Sequence, residues 1–233
     1  MNHIMKISII IPVYNEEAAI ERTILKIREN IANGNNVREI IVVDAKSTDN
    51  TVNLAKKNGA IVIKAPESGR ATQMNFGAEN ATGDVLYFIH ADCIPPFSFD
   101  IKIIRNVERN YQAGSFRSQF DDFHPFLKII GWLSQFNLNL FRAGDQSLFV
   151  EKKLFHQIGK FRSSWQIMED VDIIPRLREE TKFKIISPPV LSSSRRYRNK
   201  GIVKLQVIYI IMRMLHIFAV SNHIIVKLYK KMA

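Results

Sequence analysis

The sequence predicts an α/β fold: a mostly parallel sheet flanked by helices. Short runs rich in β-branched residues read as strands buried on both faces. Between them lie helical segments of about ten to fifteen residues, the length a right-handed crossover needs. There is no repeat, low-complexity stretch or linker, so one compact unit is expected.

Ile7–Val13 is the first strand. Asn15 can cap a helix over Glu16–Ile31, with Ile20, Ile24, Ile27 and Ile31 on one stripe. Asn33-Gly34-Asn35 ends it. Glu39–Val43 is a second strand, ending at Asp44. Ser47-Thr48-Asp49 opens a helix over Asn50–Lys57, which Asn58-Gly59 closes. Ala60–Lys64 is a third strand and Ala71–Ala81 a helix. Asp84–Ile89 is a fourth strand, ending at His90-Ala91-Asp92.

The second half is less regular. Residues 113–120 and Leu148–Val150 fit strands, and Phe123–Phe141 fits an apolar helix in which Trp132 packs. Glu169–Glu180 reads as a helix despite Pro175, and Phe183–Ser187 as a short strand that Pro188-Pro189 ends. Ile202–Val220 is apolar but interrupted by Lys204, Gln206, Arg213 and His216. An Arg near the centre of a spanning helix costs about 2.5–3.5 kcal/mol. The segment therefore reads as an amphipathic helix, packed on the core or lying on a membrane surface.

Charge is divided sharply. The 233 residues carry a net +11. Residues 1–180 hold 22 basic and 22 acidic side chains, while residues 181–233 hold 11 basic and none acidic. This suggests a body over residues 1–200, neutral as far as residue 180, and a basic helical extension over 201–233. Such an extension favours contact with anionic membrane over nucleic acid. A single cysteine, Cys93, excludes an internal disulfide or a multi-cysteine zinc site and fits a cytoplasmic location. Ile7–Val13 is too short to span a bilayer and leads into Tyr-Asn-Glu-Glu, not a cleavage site, so no signal peptide is expected.

Ligands of open parallel sheets bind outside the carboxyl ends of the strands. Neither a Gly-x-Gly-x-x-Gly fingerprint nor a phosphate loop occurs there, which argues against a dehydrogenase or P-loop enzyme. Pro12, Tyr14 and Glu16 offer a rigid turn, an aromatic ring and a carboxylate. They could hold a nucleoside, or Glu16 could simply favour a helix start. Asp44 could accept from a base or ribose, or close a local turn. Asp92, beside His90, could hold a divalent cation and through it a diphosphate. Glu169 and Asp170 open a helix and point about 100° apart, so they cannot face one site equally; one could serve as general base, or both could simply favour the helix start. Arg195 and Arg196 suit phosphate oxygens, or simply lie on a solvated basic loop. Cys93 is expected only to pack, and Trp165 to pack or to line the site.

In order, ISIIIPVYNEE (7–17), IIVVDAKSTDNT (40–51), GRATQMN (69–75), GDVLYFIHAD (83–92), GDQSLFV (144–150), MEDVD (168–172) and SRRY (194–197) resemble the family 2 glycosyltransferases of the GT-A fold. The match is closest to the branch labelled rSAM/selenodomain-associated transferase 2 and covers about residues 5–225. The resemblance implies metal-dependent, inverting transfer from a nucleotide sugar (a UDP- or GDP-sugar) to an acceptor hydroxyl. It implies a nucleoside site at Pro12, Tyr14, Glu16 and Asp44, with Arg70, Ala91 and Asp92 on the nucleotide. It implies Mg²⁺ or Mn²⁺ on Asp92, Asp170 as base with Glu169 beside it, and Arg195 and Arg196 on the diphosphate. Gly144, Asp145 and Gln146, with Trp165, would line the acceptor or sugar pocket. His90 stands where the wider family has the first Asp of its metal motif, and Ala45-Lys46 stand where the close branch has Gly-Gly. A nucleotide-sugar binder without turnover is the alternative reading.

Overall fold

The computed structural model describes residues 4–138, 144–218 and 220–232. The chain folds around an eight-stranded sheet of order β3-β2-β1-β4-β7-β6-β8-β5. β1 (Ile7–Val13), β2 (Val37–Asp44), β3 (Ile61–Lys64) and β4 (Val85–Phe88) are parallel. Helices α1 (Glu17–Asn30), α2 (Thr51–Lys57) and α3 (Arg70–Asn80) connect them. β1 and β2 carry the wholly buried isoleucines and valines expected of central parallel strands.

Further along the chain come β5 (Cys93–Ile94), α4 (Phe99–Val107), β6 (Ala113–Phe120), α5 (Pro125–Leu133), β7 (Leu148–Glu151) and α6 (Lys152–Gln157). β7 runs antiparallel between β4 and β6. α7 (Glu169–Glu180) runs straight through Pro175. Burial of Ile173, Ile174 and Leu177 in the core holds it against the missing N–H. β8 (Phe183–Ser192), α8 (Arg195–Lys200), α9 (Ile202–Ile217) and α10 (Asn222–Met232) complete the described elements.

Several expectations need correction. β8 does not stop at the prolines. Phe116 pairs with Ile186 and Ser118 with Val190, so exposed Ser187 and Pro188 bulge out and the ladder resumes beyond them. The helix expected over 123–141 spans only Pro125–Leu133, and residues 139–141 lie outside the described residues. Trp132 is not packed away: it is 55% exposed, with its ring edge-on to Phe136. Arg195 and Arg196 begin a short helix, not a loop. α4, α6 and the two-residue β5 were not anticipated.

Candidate active site

The carboxyl ends of β1, β2 and β4 form one rim. Asn15 does not cap α1; it adopts a left-handed φ of 53°. Its Oδ1 instead accepts from the Thr48 N–H at 2.9 Å, and its own N–H donates to Ser47 Oγ at 2.9 Å. The Glu16 N–H donates to Thr51 Oγ1 and the Glu17 N–H to Asp49, while Glu17 accepts from the Asn50 N–H. The loops after β1 and β2 therefore cap each other. Beneath them, buried Gln73 on α3 donates to the carbonyls of Val13 and Val43, both at 2.8 Å. Pro12 pairs in register with Val43 just below this loop, and Tyr14 stands 59% exposed above it.

Asp44 is 2% exposed and closes its own turn, accepting from the backbone N–H groups of Lys46 and Ser47 at 3.1 Å. Lys46 sits at φ 67°, the left-handed region that favours glycine. That explains physically why glycine suits this position in the resembling branch.

After β4, Thr23 of α1 donates to the Ala91 carbonyl at 2.6 Å and fixes the loop that carries His90 and Asp92. Ligand atoms of His90, Asp92 and Cys93 lie within 4.8 Å of one another. Burial, with Arg70 and Arg196 nearby, pushes the His90 imidazole down to about 3, so the ring is neutral and able to ligate. Burial, reinforced by the Asp92 charge, pushes the Cys93 thiol well up. A neutral thiol is a poor donor for a hard cation, so Asp92 with His90 is the set that fits one.

The second half supplies the opposite wall. Arg195 spans the rim: its guanidinium donates to Glu16 at 2.7 Å and stands 4.0 Å from Asp92. Arg196 donates to Tyr209 of α9 at 3.2 Å. Glu169 is 1% exposed; its Oε1 accepts from Arg70 at 3.0 Å, and its buried Oε2 has no hydrogen-bond partner among the described residues. Burial raises the Glu169 carboxyl above its usual value; Arg70 opposes the shift and Asp170 adds to it. Glu169 and Asp170 line one pocket with His90, Met74, Phe88 and Phe161. Asp172, two residues on, is taken up by Arg162 and Arg176, each at 2.7 Å.

The remaining residues singled out from sequence are not among those lining this pocket. Gly144, Asp145 and Gln146 form a single 3₁₀ turn, which Ser192 Oγ holds at the Asp145 carbonyl. Trp165 packs at 4.8 Å on His216 and is not among the residues lining the pocket. Two contributors were missed. Gln73 lies within a quoted motif, but nothing local marks it as the tie between two strand ends. Arg213 looked like part of a basic surface, yet the Asp170 and Asp145 charges act on it.

Fold and site together define an α/β enzyme with acidic groups gathered at the strand ends. The chain belongs to glycosyl transferase family 2, whose model matches residues 8–165. Its fold is the GT-A fold. An uncharacterised glycosyltransferase of Rickettsia typhi is 42% identical over 87 residues, covering 37% of this chain and 28% of the relative. The glycosyltransferase AglE of Haloferax volcanii is 25% identical over 173 residues, covering 66% and 55%. The chain thus spans well under two thirds of these relatives. Among solved structures, S. aureus TarS superposes with a TM-score of 0.68 at 15% identity, covering 81% of this chain and 37% of TarS. The mannosyltransferase PcManGT of Pyrobaculum calidifontis, solved with GDP-Man and Mn²⁺, gives 0.63 at 19% identity, covering 82% and 57%.

Proposed function

We propose that this glycosyltransferase moves a sugar from a UDP- or GDP-sugar to an acceptor hydroxyl with inversion at the anomeric carbon. The observation that carries the reading is the convergence of His90, Glu169 and Asp170 on one pocket beside the Glu16–Arg195–Asp92 rim. TarS has been solved with UDP-GlcNAc and PcManGT with GDP-Man and Mn²⁺, which supports a nucleotide-sugar donor and a divalent cation.

In this reading Tyr14 stacks on the base, Pro12 shapes the loop, and Glu16 and Asp44 accept from the nucleoside. Arg70 and the Ala91 backbone border the nucleotide. Asp92 and His90 would hold Mg²⁺ or Mn²⁺, which when bound offsets charge on the diphosphate. Asp170 takes the acceptor hydroxyl proton as the oxygen attacks the anomeric carbon. The bond from that carbon to the diphosphate breaks on the opposite face, so configuration inverts. Arg195 and Arg196 neutralise the leaving diphosphate. Glu169, fixed by Arg70, orients Asp170, and the turn at 144–146 with Trp165 borders the acceptor. The enzyme would act from the cytoplasm, with its basic C-terminal extension at an anionic membrane.

One observation favours a nucleotide-sugar binder without turnover: Arg195 already lies between Glu16 and Asp92, where a cation would sit. Mn²⁺- or Mg²⁺-dependent donor hydrolysis separates the two readings. The test of the main reading is a thermal-shift screen against UDP-, GDP-, CMP- and dTDP-sugars with and without Mn²⁺. A UDP- or GDP-sugar at about a hundred times its Kd should stabilise by about 2.7 kcal/mol. That raises Tm by about 5–10 °C for a domain of this size. Tm unmoved by every donor would overturn the reading.

A further inference from the structure

α9 departs from the pattern of a surface helix. Its inner side buries Leu205, Ile208 and Met212. Its outer side is apolar as well: Val203, Val207, Ile210, Met214 and Ile217 are each between 43% and 63% exposed. At about 100° per residue these five fall within a stripe about 80° wide. A helix apolar on two opposite sides has its second apolar side to bury, against protein or lipid. Yet α9 has 16 residues, and no helix among the described residues is long and apolar enough to cross a membrane. That leaves shallow burial of the outer stripe.

The charges around the stripe select its occupant. Exposed Lys204 flanks the stripe, about 60° beyond its edge at Val207. α10 packs on α9 through Ile225 against Ile208 and Met212. It exposes Ile224, Lys227 and Lys231, which share one face by their spacing. The segment from residue 181 onward has no acidic side chain to balance them. A second copy docking about a two-fold axis would set this basic patch against itself. An anionic lipid surface complements both the lysines and the apolar stripe.

We therefore propose that the outer face of α9, with the flanking lysines of α9 and α10, docks peripherally on an anionic bilayer. Arg213 is half-buried and its guanidinium is pulled down by that burial against the charges of Asp170 and Asp145, so it is not counted among the exposed flanking cations. The proposal deepens the membrane location given above but does not depend on sugar transfer.

The test is co-sedimentation of the full chain with phosphatidylcholine vesicles, with and without phosphatidylglycerol, at low and high salt. Binding should require phosphatidylglycerol and weaken with salt. Lys227→Gln with Lys231→Gln should weaken it about 25-fold, taking about fivefold per lysine. Ile210→Asp should abolish it, and the milder Ile210→Ser should weaken it, both with an unchanged thermal melt. Equal binding to neutral vesicles, no binding at all, or wild-type binding by the variants would overturn the proposal. So would a dimer in light scattering that Ile210→Asp dissociates, which would assign the face to a second copy.

Discussion

The strand-end rim and the wall opposite it are built in different ways. The rim, from Pro12 to Asp92, hangs from parallel strands whose end loops cap each other through backbone N–H groups. The opposite wall comes from α7 and α8 and meets the rim side by side-chain ion pairs, Glu169 to Arg70 of α3 and Arg195 to Glu16. Backbone ties fix the shape of a loop whatever is bound. A pair such as Arg195–Glu16, with side chains 43% and 25% exposed, contributes about 0–1 kcal/mol and can exchange partners. The rim is thus suited to be a preformed seat, and the opposite wall to rearrange around a ligand.

Backbone packing gives the most forceful way to break this contrast. A Cβ on Gly114 of β6 would lie 2.3 Å from the Lys184 carbonyl oxygen and 2.6 Å from the Phe149 ring. A strand carbonyl cannot yield, so Gly114→Ala should cost about 3 kcal/mol and disturb the β6–β8 half first. The matching probe on the rim side is Gly77 of α3. Its Cβ would meet methyl groups of Ile10 and Val43 at 2.5 and 2.9 Å. Side chains give more than backbone, and alanine gains about 1 kcal/mol of helix propensity. Gly77→Ala should therefore cost only about 1–2 kcal/mol by urea denaturation. The account fails if the two rank the other way.

Glu169 tests the buried ion pair of the opposite wall. Its carboxyl is raised, so just above the usual glutamate range the folded state still holds a proton that the unfolded chain has released. This contribution is fully present below the unfolded value and is lost as pH rises through the folded one. Glu169→Gln should remove that fall in stability. Tm–pH curves of the two proteins that stay parallel would contradict the assignment. The smallest effect belongs to Lys46. Glycine relieves a left-handed residue by about 1–2 kcal/mol but loses about 0.5–1 kcal/mol in the unfolded chain. Lys46→Gly should stabilise by less than about 1 kcal/mol in the same denaturation assay.

The same contrast decides what was legible in the sequence. β1 and α7 occupy the ranges their patterns predict, because periodicity and strand composition are local signals. Asp44, Asp92 and Glu169-Asp170 were legible because strand ends and helix starts place them. The ties themselves were not. Asn15 suggests a cap, but the Thr48 N–H competes for the same oxygen. Arg195 meets Glu16 across 179 residues, and no local pattern encodes that distance. The basic residues scattered through 202–220 make that segment look amphipathic, and only the packing of Leu205, Ile208 and Met212 inward separates a second, exposed apolar stripe on α9.

The central claim is that Asp170 removes the acceptor proton in a site that seats the donor independently. The direct measurement is single-turnover transfer by Asp170→Asn with the donor and acceptor identified for the wild type, alongside donor binding by the same variant. The account predicts a loss of about 10²–10⁴-fold in the transfer rate with donor affinity close to wild type. An undiminished rate would contradict it.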